Sequence, residues 1–277
     1  MKRAQVLPDR KRPLIFAHRG SVTLAPENTM AAFKLAREWG IPGIELDVHH
    51  TLDGKLVVAH DDNFLRTAPF GNNGDGKNIE ELNYDEIKNI DVGSFLDSKW
   101  RAQRPPLLEE VLEEFCPAMY VDIELKSSRV KKDVLPLLAA EKLKSMRKEI
   151  CSSVTISSFN PFCAGRFRKI WRAMRGLYRK NNSGENLPEI PTAILWINSN
   201  ELPLILRRGL GRLISGSEYL KPNFKHINKL SMYDYKKINN HIVIPWTVDD
   251  PALAEKLIKL GCDGIVTNNP REMMFLQ

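Results

Sequence analysis

The chain has 277 residues, 43% hydrophobic and 27% charged, which fits one folded domain of barrel size and excludes a disordered or fibrous polymer. Its formal charge of +7 favours anionic partners such as a phosphodiester, an anionic membrane surface or nucleic acid, although charge alone implies no more than solubility. Cys116, Cys151, Cys163 and Cys262 show no C-x-x-C spacing, and no apolar run reaches the ~18–20 residues of a membrane span; a zinc site, a disulfide framework and a spanning helix are therefore not expected.

The N-terminus is basic but lacks the apolar segment of a signal peptide, so a cytoplasmic protein is expected. The first strand covers 14–18 and ends on His18-Arg19-Gly20. Pro26 to Thr29 form a turn in which Asn28 or Thr29 caps a helix over about 29–39. Met30, Phe33, Leu35, Ala36 and Trp39 fall mainly on one face of that helix, and Gly40 ends it. The second strand, 43–48, is an apolar run interrupted by Glu45 and Asp47. Asp53-Gly54 is a tight-turn pair, so 55–59 doubles back beside the second strand and ends on His60.

Residues 61–105 break the β/α rhythm. GNNGDGKN reads as a loop, 79–90 as a short helix, and the stretch up to Pro106 as irregular. Residues 52–105 are therefore read as an insertion riding on a barrel mouth, with Ile79, Leu82, Tyr84, Ile87, Ile90, Phe95, Leu96 and Trp100 available to pack it. Its distal part is expected to set what fits over the site, because specificity on a broad barrel mouth comes from loops.

From Pro106 the alternation resumes with a helix at 107–115, a strand at 119–126 and a helix at 130–146 that Pro136 would kink. A strand at 154–159, a helix at 161–179, a strand at 192–196 and a helix at 201–208 follow, then strands at 218–221, 241–248 and 264–267. Without the hairpin run at 55–59 the strands number eight. The expected fold is α/β, a (β/α)8 TIM barrel forming one catalytic domain over 1–277, with the 52–105 insertion between its second and third barrel strands.

Polar residues at strand ends carry the chemistry of such a barrel. Glu45 and Asp47, two apart on a strand, share a face, and Glu124 ends the next barrel strand beside them. Three carboxylates without a nearby cysteine suit a hard divalent ion, Mg²⁺ or Ca²⁺; pairing with Arg19 or Lys126 accounts for the spacing equally well. His18 and His60 end different β runs on either side of the acidic strand and suit a general acid and a general base. Arg19 and Lys126 supply positive charge for phosphate oxygens.

Trp246, at the end of the 241–248 strand, has two readings, packing against substrate or packing in the core. His49 falls on the side of Glu45 and Asp47 and reads as a strand-end histidine with phosphate contact as the alternative. Residues 165–180 hold seven basic residues and an apolar stripe at helical spacing. This is most simply an outer barrel helix; peripheral contact with anionic membrane is the less favoured alternative.

Six ordered blocks, H-R-G with P-E-N-T, E-L-D, T-x-D-G with V-V-x-H-D, Ile123 to Lys126, Pro245 to Val248, and Gly264 to Pro270, together resemble the glycerophosphodiester phosphodiesterase family over nearly the whole chain. The resemblance implies a small insert between the second and third barrel strands. It implies metal binding by Glu45, Asp47 and Glu124, and acid/base roles for His18 and His60. It also implies metal-dependent hydrolysis of a small deacylated glycerophosphodiester to sn-glycerol 3-phosphate and an alcohol, with no nucleic-acid partner. The alternatives are a lysophospholipase D acting on lysolipids and a catalytically silent barrel that binds phosphodiesters or anionic lipid.

Overall fold

A computed structural model of the chain describes residues 13–69, 74–127, 132–197 and 209–277. Its strands are β1 (Leu14–His18), β2 (Gly43–His50), β3 (Leu56–Val58), β4 (Tyr120–Leu125), β5 (Val154–Ser158), β6 (Thr192–Trp196), β7 (Tyr219–Pro222), β8 (Ile242–Val243) and β9 (Gly264–Thr267). The helices between them are α1 (Met30–Glu38), α2 (Tyr84–Ile87), α3 (Leu108–Phe115), α4 (Leu135–Ser145), α5 (Lys148–Cys151), α6 (Pro161–Asn181), α7 (Gly211–Ser215), α8 (Lys229–Met232) and α9 (Pro251–Lys259). The helix expected at 201–208 lies outside the described residues.

Eight strands run parallel in the order β8-β7-β6-β5-β4-β2-β1-β9, and β3 pairs antiparallel with β2 off that path. The sheet curls until its edges nearly meet. Backbone bonds from Asp263 N to Val243 O, from Val266 N to Pro245 O and from Val248 N to Val266 O, each 2.9 Å, stitch the segment around β8 to β9. The expected 241–248 strand forms a ladder only at Ile242 and Val243, because Pro245 has no N–H to donate. Ile244 and Trp246 nevertheless donate to Leu220 and Pro222, continuing the line toward the mouth.

Helices cover the outside. Phe33 of α1 meets Phe115 of α3 edge to face at 5.9 Å, both fully buried, and each such side chain contributes roughly 1.5–3 kcal/mol. In α6, Phe167 and Trp171 stack against the core while Arg168 and Arg172 pair with Glu218 and Arg175 with Glu189. The basic helix thus packs as an outer barrel helix, and no helix among the described residues is long and apolar enough to cross a membrane. Pro136 occupies the first turn of α4, where its missing N–H costs no bond, so it starts the helix instead of kinking it. All four cysteines are buried thiols; burial pushes Cys116 and Cys262 up to about 12, which leaves them unreactive.

Between β2 and β4 the chain leaves the barrel. The helix expected at 79–90 is a 3₁₀ turn, Ile79–Glu81, followed by α2, each started by an asparagine cap. Val57, Ala59, Phe64, Ala68, Ile79, Leu82, Ile87, Ile90 and Val92 form a cluster of their own under this excursion.

Candidate active site

Strand register builds the site in layers. Leu14, Phe16, Tyr120, Ala193, Tyr219, Ile244 and Val266 fill the barrel interior below. His18 of β1 is paired with Glu45 of β2, Glu45 with Asp122 of β4, Asp47 with Glu124, and Glu124 with Ser157 of β5. Two-residue alternation then carries Glu45, Asp47, Asp122 and Glu124 inward, with Asp47 and Glu124 nearest the carboxyl ends of their strands. Oxygens of Glu45, Asp47 and Glu124 lie within 4.8 Å of one another, and all three residues are buried.

Three buried carboxylates this close cannot all ionise unaided. Burial first, then the Asp47 charge, pushes Glu124 up to about 8, against the pull of Lys126. Burial also works to raise Asp47, but Lys126, Arg19 and the amide of Asn28 outweigh it and hold that carboxyl below its usual range. Lys126 Nζ lies 3.0 Å from Glu124 and 3.5 Å from Asp47, so the ion pairs considered from sequence do form. They leave Glu124 with a strongly raised value all the same. An all-oxygen donor set still short of positive charge fits a hard divalent cation.

The loop after β1 is built for close approach. Arg19 and Asn28 both have positive φ, 57° and 54°, a region that costs a non-glycine residue roughly 1–3 kcal/mol. Arg19 N donates to Glu45 Oε2 at 3.1 Å, Asn28 N to Arg19 O at 2.9 Å, and Asn28 Nδ2 to Asp47 Oδ2 at 2.9 Å. Those bonds hold the strained turn against the acids. Gly20, at φ 86°, leaves no room for a side chain: a Cβ there would sit 2.7 Å from that of Ala32. The Nε of Arg19 is buried and lies 3.4 Å from Asp47, an ion pair without a close hydrogen bond.

Each candidate histidine is anchored through one ring nitrogen. His18 Nδ1 lies 2.7 Å from Asn268 Oδ1, and the amide of Asn268 is oriented by Asp249, which accepts from its Nδ2 at 2.8 Å. An amide oxygen can only accept, so Nδ1 of His18 carries the proton and Nε2 is the available base. His60 Nδ1 meets Asp61 Oδ1 at 2.6 Å. Burial works to raise Asp61, but hydrogen bonds from Arg66 and His60 outweigh it and hold the carboxyl down at about 2.

His49 is buried, its ring is held below the usual histidine range by that burial, and its Nε2 lies 3.2 Å from His60 O. It supports the backbone of His60. Trp246 is half-buried, packs on the barrel interior, stands edge to face with Phe159 at 5.2 Å and donates from Nε1 to Lys221 O at 2.7 Å.

Sequence reading missed several members. Lys221 of β7 pairs with Asp122 inside the barrel, and burial pushes its ammonium down to about 8 against the Glu45 and Asp47 charges. Asn268 directly follows β9, Asp249 lies just past the expected 241–248 strand and Asp61 directly follows His60; those positions were the available signal. Thr29 caps α1 and Asn28 turns instead to Asp47, which settles the cap left open between them. A cavity of about 340 Å³ opens beside Glu124 and Lys126, and the excursion reaches it through Asp62, Asn78 and Glu80.

The family model for glycerophosphoryl diester phosphodiesterases matches residues 18–272. A glycerophosphodiester phosphodiesterase of Caldanaerobacter subterraneus subsp. tengcongensis is 33% identical over 96% of this chain and 98% of its own length. A Bacillus altitudinis enzyme of the same name is 30% identical over 92% and 94%. Among solved structures, an Oleispira antarctica phosphodiesterase in complex with the product sn-glycerol-3-phosphate superposes with a TM-score of 0.77 at 26% identity, covering 95% of this chain and 96% of that one.

Proposed function

The chain belongs to the glycerophosphoryl diester phosphodiesterase family, and from that premise we propose that it hydrolyses small deacylated glycerophosphodiesters to sn-glycerol 3-phosphate and an alcohol. The observation that carries this reading is the cluster of Glu45, Asp47 and Glu124 oxygens within 4.8 Å, with two anchored histidines on neighbouring elements.

Glu45, Asp47 and Glu124 would hold a divalent ion, Mg²⁺ or Ca²⁺, which when bound neutralises and orients the diester. His18 Nε2, its Nδ1 turned to Asn268, takes the proton from the glycerol 2-hydroxyl, whose oxygen attacks phosphorus. The bond to the departing alcohol breaks, and His60, its ring held by Asp61, protonates the alkoxide. Water then opens the cyclic phosphate with the two roles exchanged. The guanidinium of Arg19 and the ammonium of Lys126 meet the charge that builds on the phosphoryl oxygens. The whole chain acts as one catalytic barrel in this reading, and the excursion over 52–105 shapes the alcohol side.

The cavity favours a small polar alcohol over a lysolipid. Besides Leu125, Leu135 and Phe159 its lining carries His49, His50, Asp62, Glu80, Lys126 and Asp133, and over that polar part an acyl chain would forgo the roughly 0.8 kcal/mol per buried CH₂ that drives its binding. Glycerophosphocholine should accordingly be cleaved with a kcat/KM at least ~10²-fold above that of lysophosphatidylcholine, and EDTA should abolish turnover until Mg²⁺ or Ca²⁺ is returned. Equal kcat/KM for the two substrates would reverse the substrate choice, and full activity in EDTA would remove the metal.

A further inference from the structure

The ladders that fix His18, Glu45, Asp47 and Glu124 do not reach His60. β3 pairs with β2 through only Leu56, Val57 and Val58, outside the barrel path, and His60 follows two residues later. Its backbone is held by Ala59 N to Asp47 O at 3.1 Å and by the His49 contact to its carbonyl. Its ring direction depends on side chains alone.

Those side chains form a line of alternating charge. Asp61 Oδ2 accepts from Arg66 Nε at 2.6 Å. The other two nitrogens of Arg66 grip Glu27 in a fork, NH1 to Oε2 at 2.9 Å and NH2 to Oε1 at 2.7 Å. Glu27 Oε1 also accepts from Arg19 NH1 at 3.0 Å, and Arg19 continues to Asp47. Arg66 is exposed by nearly half, whereas Glu27 is mostly covered. An isolated exposed pair of this kind contributes about 0–1 kcal/mol to stability. A planar fork that spends all three nitrogens on two carboxylates is instead a device for fixing angles.

We propose that Glu27 and Arg66 are positioning residues that hold the His60 ring over the carboxylate cluster and lock it to Arg19 across the barrel mouth. The proposal rests on the reading of His60 as an acid/base residue. Arg66 ties the excursion, which supplies His60, to the loop after β1, which supplies Arg19. One ion pair thereby sets the separation of the proton donor from the phosphate-binding arginine.

The test is steady-state kinetics of Arg66→Ala, Arg66→Lys and Glu27→Gln beside His60→Ala, with Arg37→Ala as a control for loss of an exposed Arg–Glu pair away from the mouth. Arg66→Ala should lower kcat about 10–10²-fold with KM little changed. Without Arg66 the Asp61 carboxylate that faces the His60 ring loses its partner, so the pH profile should change as well as kcat. Arg66→Lys should restore part of kcat, since a single ammonium cannot replace the fork. Glu27→Gln should act in the same direction as Arg66→Ala, and Arg37→Ala should match the parent protein. A wild-type kcat and pH profile in Arg66→Ala, with His60→Ala inactive, would refute the clamp while sparing the catalytic reading. Full activity in His60→Ala would remove that reading and the clamp with it. Should Arg66→Ala fold poorly, the lysine and glutamine variants carry the same comparison.

Discussion

Asp47→Asn, Glu45→Gln and Glu124→Gln should each lower kcat by about 10³-fold or more, the equivalent of ~4 kcal/mol and a typical share for an ion that neutralises a phosphoryl group. Asp47 should be the most damaging, because it meets Lys126, Arg19 and Asn28 as well as the other two acids. The fold should survive in every case, since a mouth position adds little to the core. Binding gives a second readout. Titration of the metal-free protein with Mg²⁺ or Ca²⁺ should release or absorb heat in the parent and give none in a variant lacking two of the three acids. The assignment falls if that double variant binds the ion as the parent does. It also falls if the single variants keep full turnover.

The histidines should show the next largest effect. His18→Ala and His60→Ala should each cost at least ~10²-fold in kcat, the share of one positioned acid or base. The double variant should lose much less than the product of the two, because both groups serve one proton-transfer cycle. Asn268→Ala should resemble a weakened His18 variant, since the ring would lose the acceptor that fixes its proton on Nδ1. A multiplicative double variant, or one silent histidine, would make at least one of them structural.

The barrel and its acids were legible because both are matters of period. An apolar run that ends on a charged residue marks a barrel strand, and two carboxylates two residues apart must share a face. Register did the rest, setting Asp47 opposite Glu124 across seventy-odd residues of intervening chain. What escaped was whatever depends on angle rather than on spacing. Asn28 and Thr29 were equal candidates for the helix cap, and it is the positive φ at Asn28 itself that turns it toward Asp47 and leaves the cap to Thr29. The line from His60 to Arg66 and Glu27 joins two irregular segments, and loops carry no periodic signal. Lys221 was hidden for the opposite reason. A lysine near a strand end reads as solvated, and only closure of the barrel brings it against Asp122.

The separate apolar cluster beneath the excursion has a consequence for how the protein fails. Its nine buried residues pack on one another, and the attachment to the barrel is made by the short β3 ladder, the bridge from Val57 to Leu107 and single bonds such as Val58 to Pro106, Ala59 to Asp47, Leu52 to Leu82 and the Arg66–Glu27 fork. Such a unit can open while the barrel stays shut, as sub-global openings generally do. Opening would carry His60 and Asp61 away and leave the acids in place. With rising urea, turnover should therefore disappear before the far-UV signal of the barrel, and amides of 57–92 should exchange faster than those of β1, β2 and β4. A ligand that touches both halves would close the gap between the two transitions, because it stabilises only the closed form. Over that range of urea the assembled catalyst would be held together mainly by its substrate.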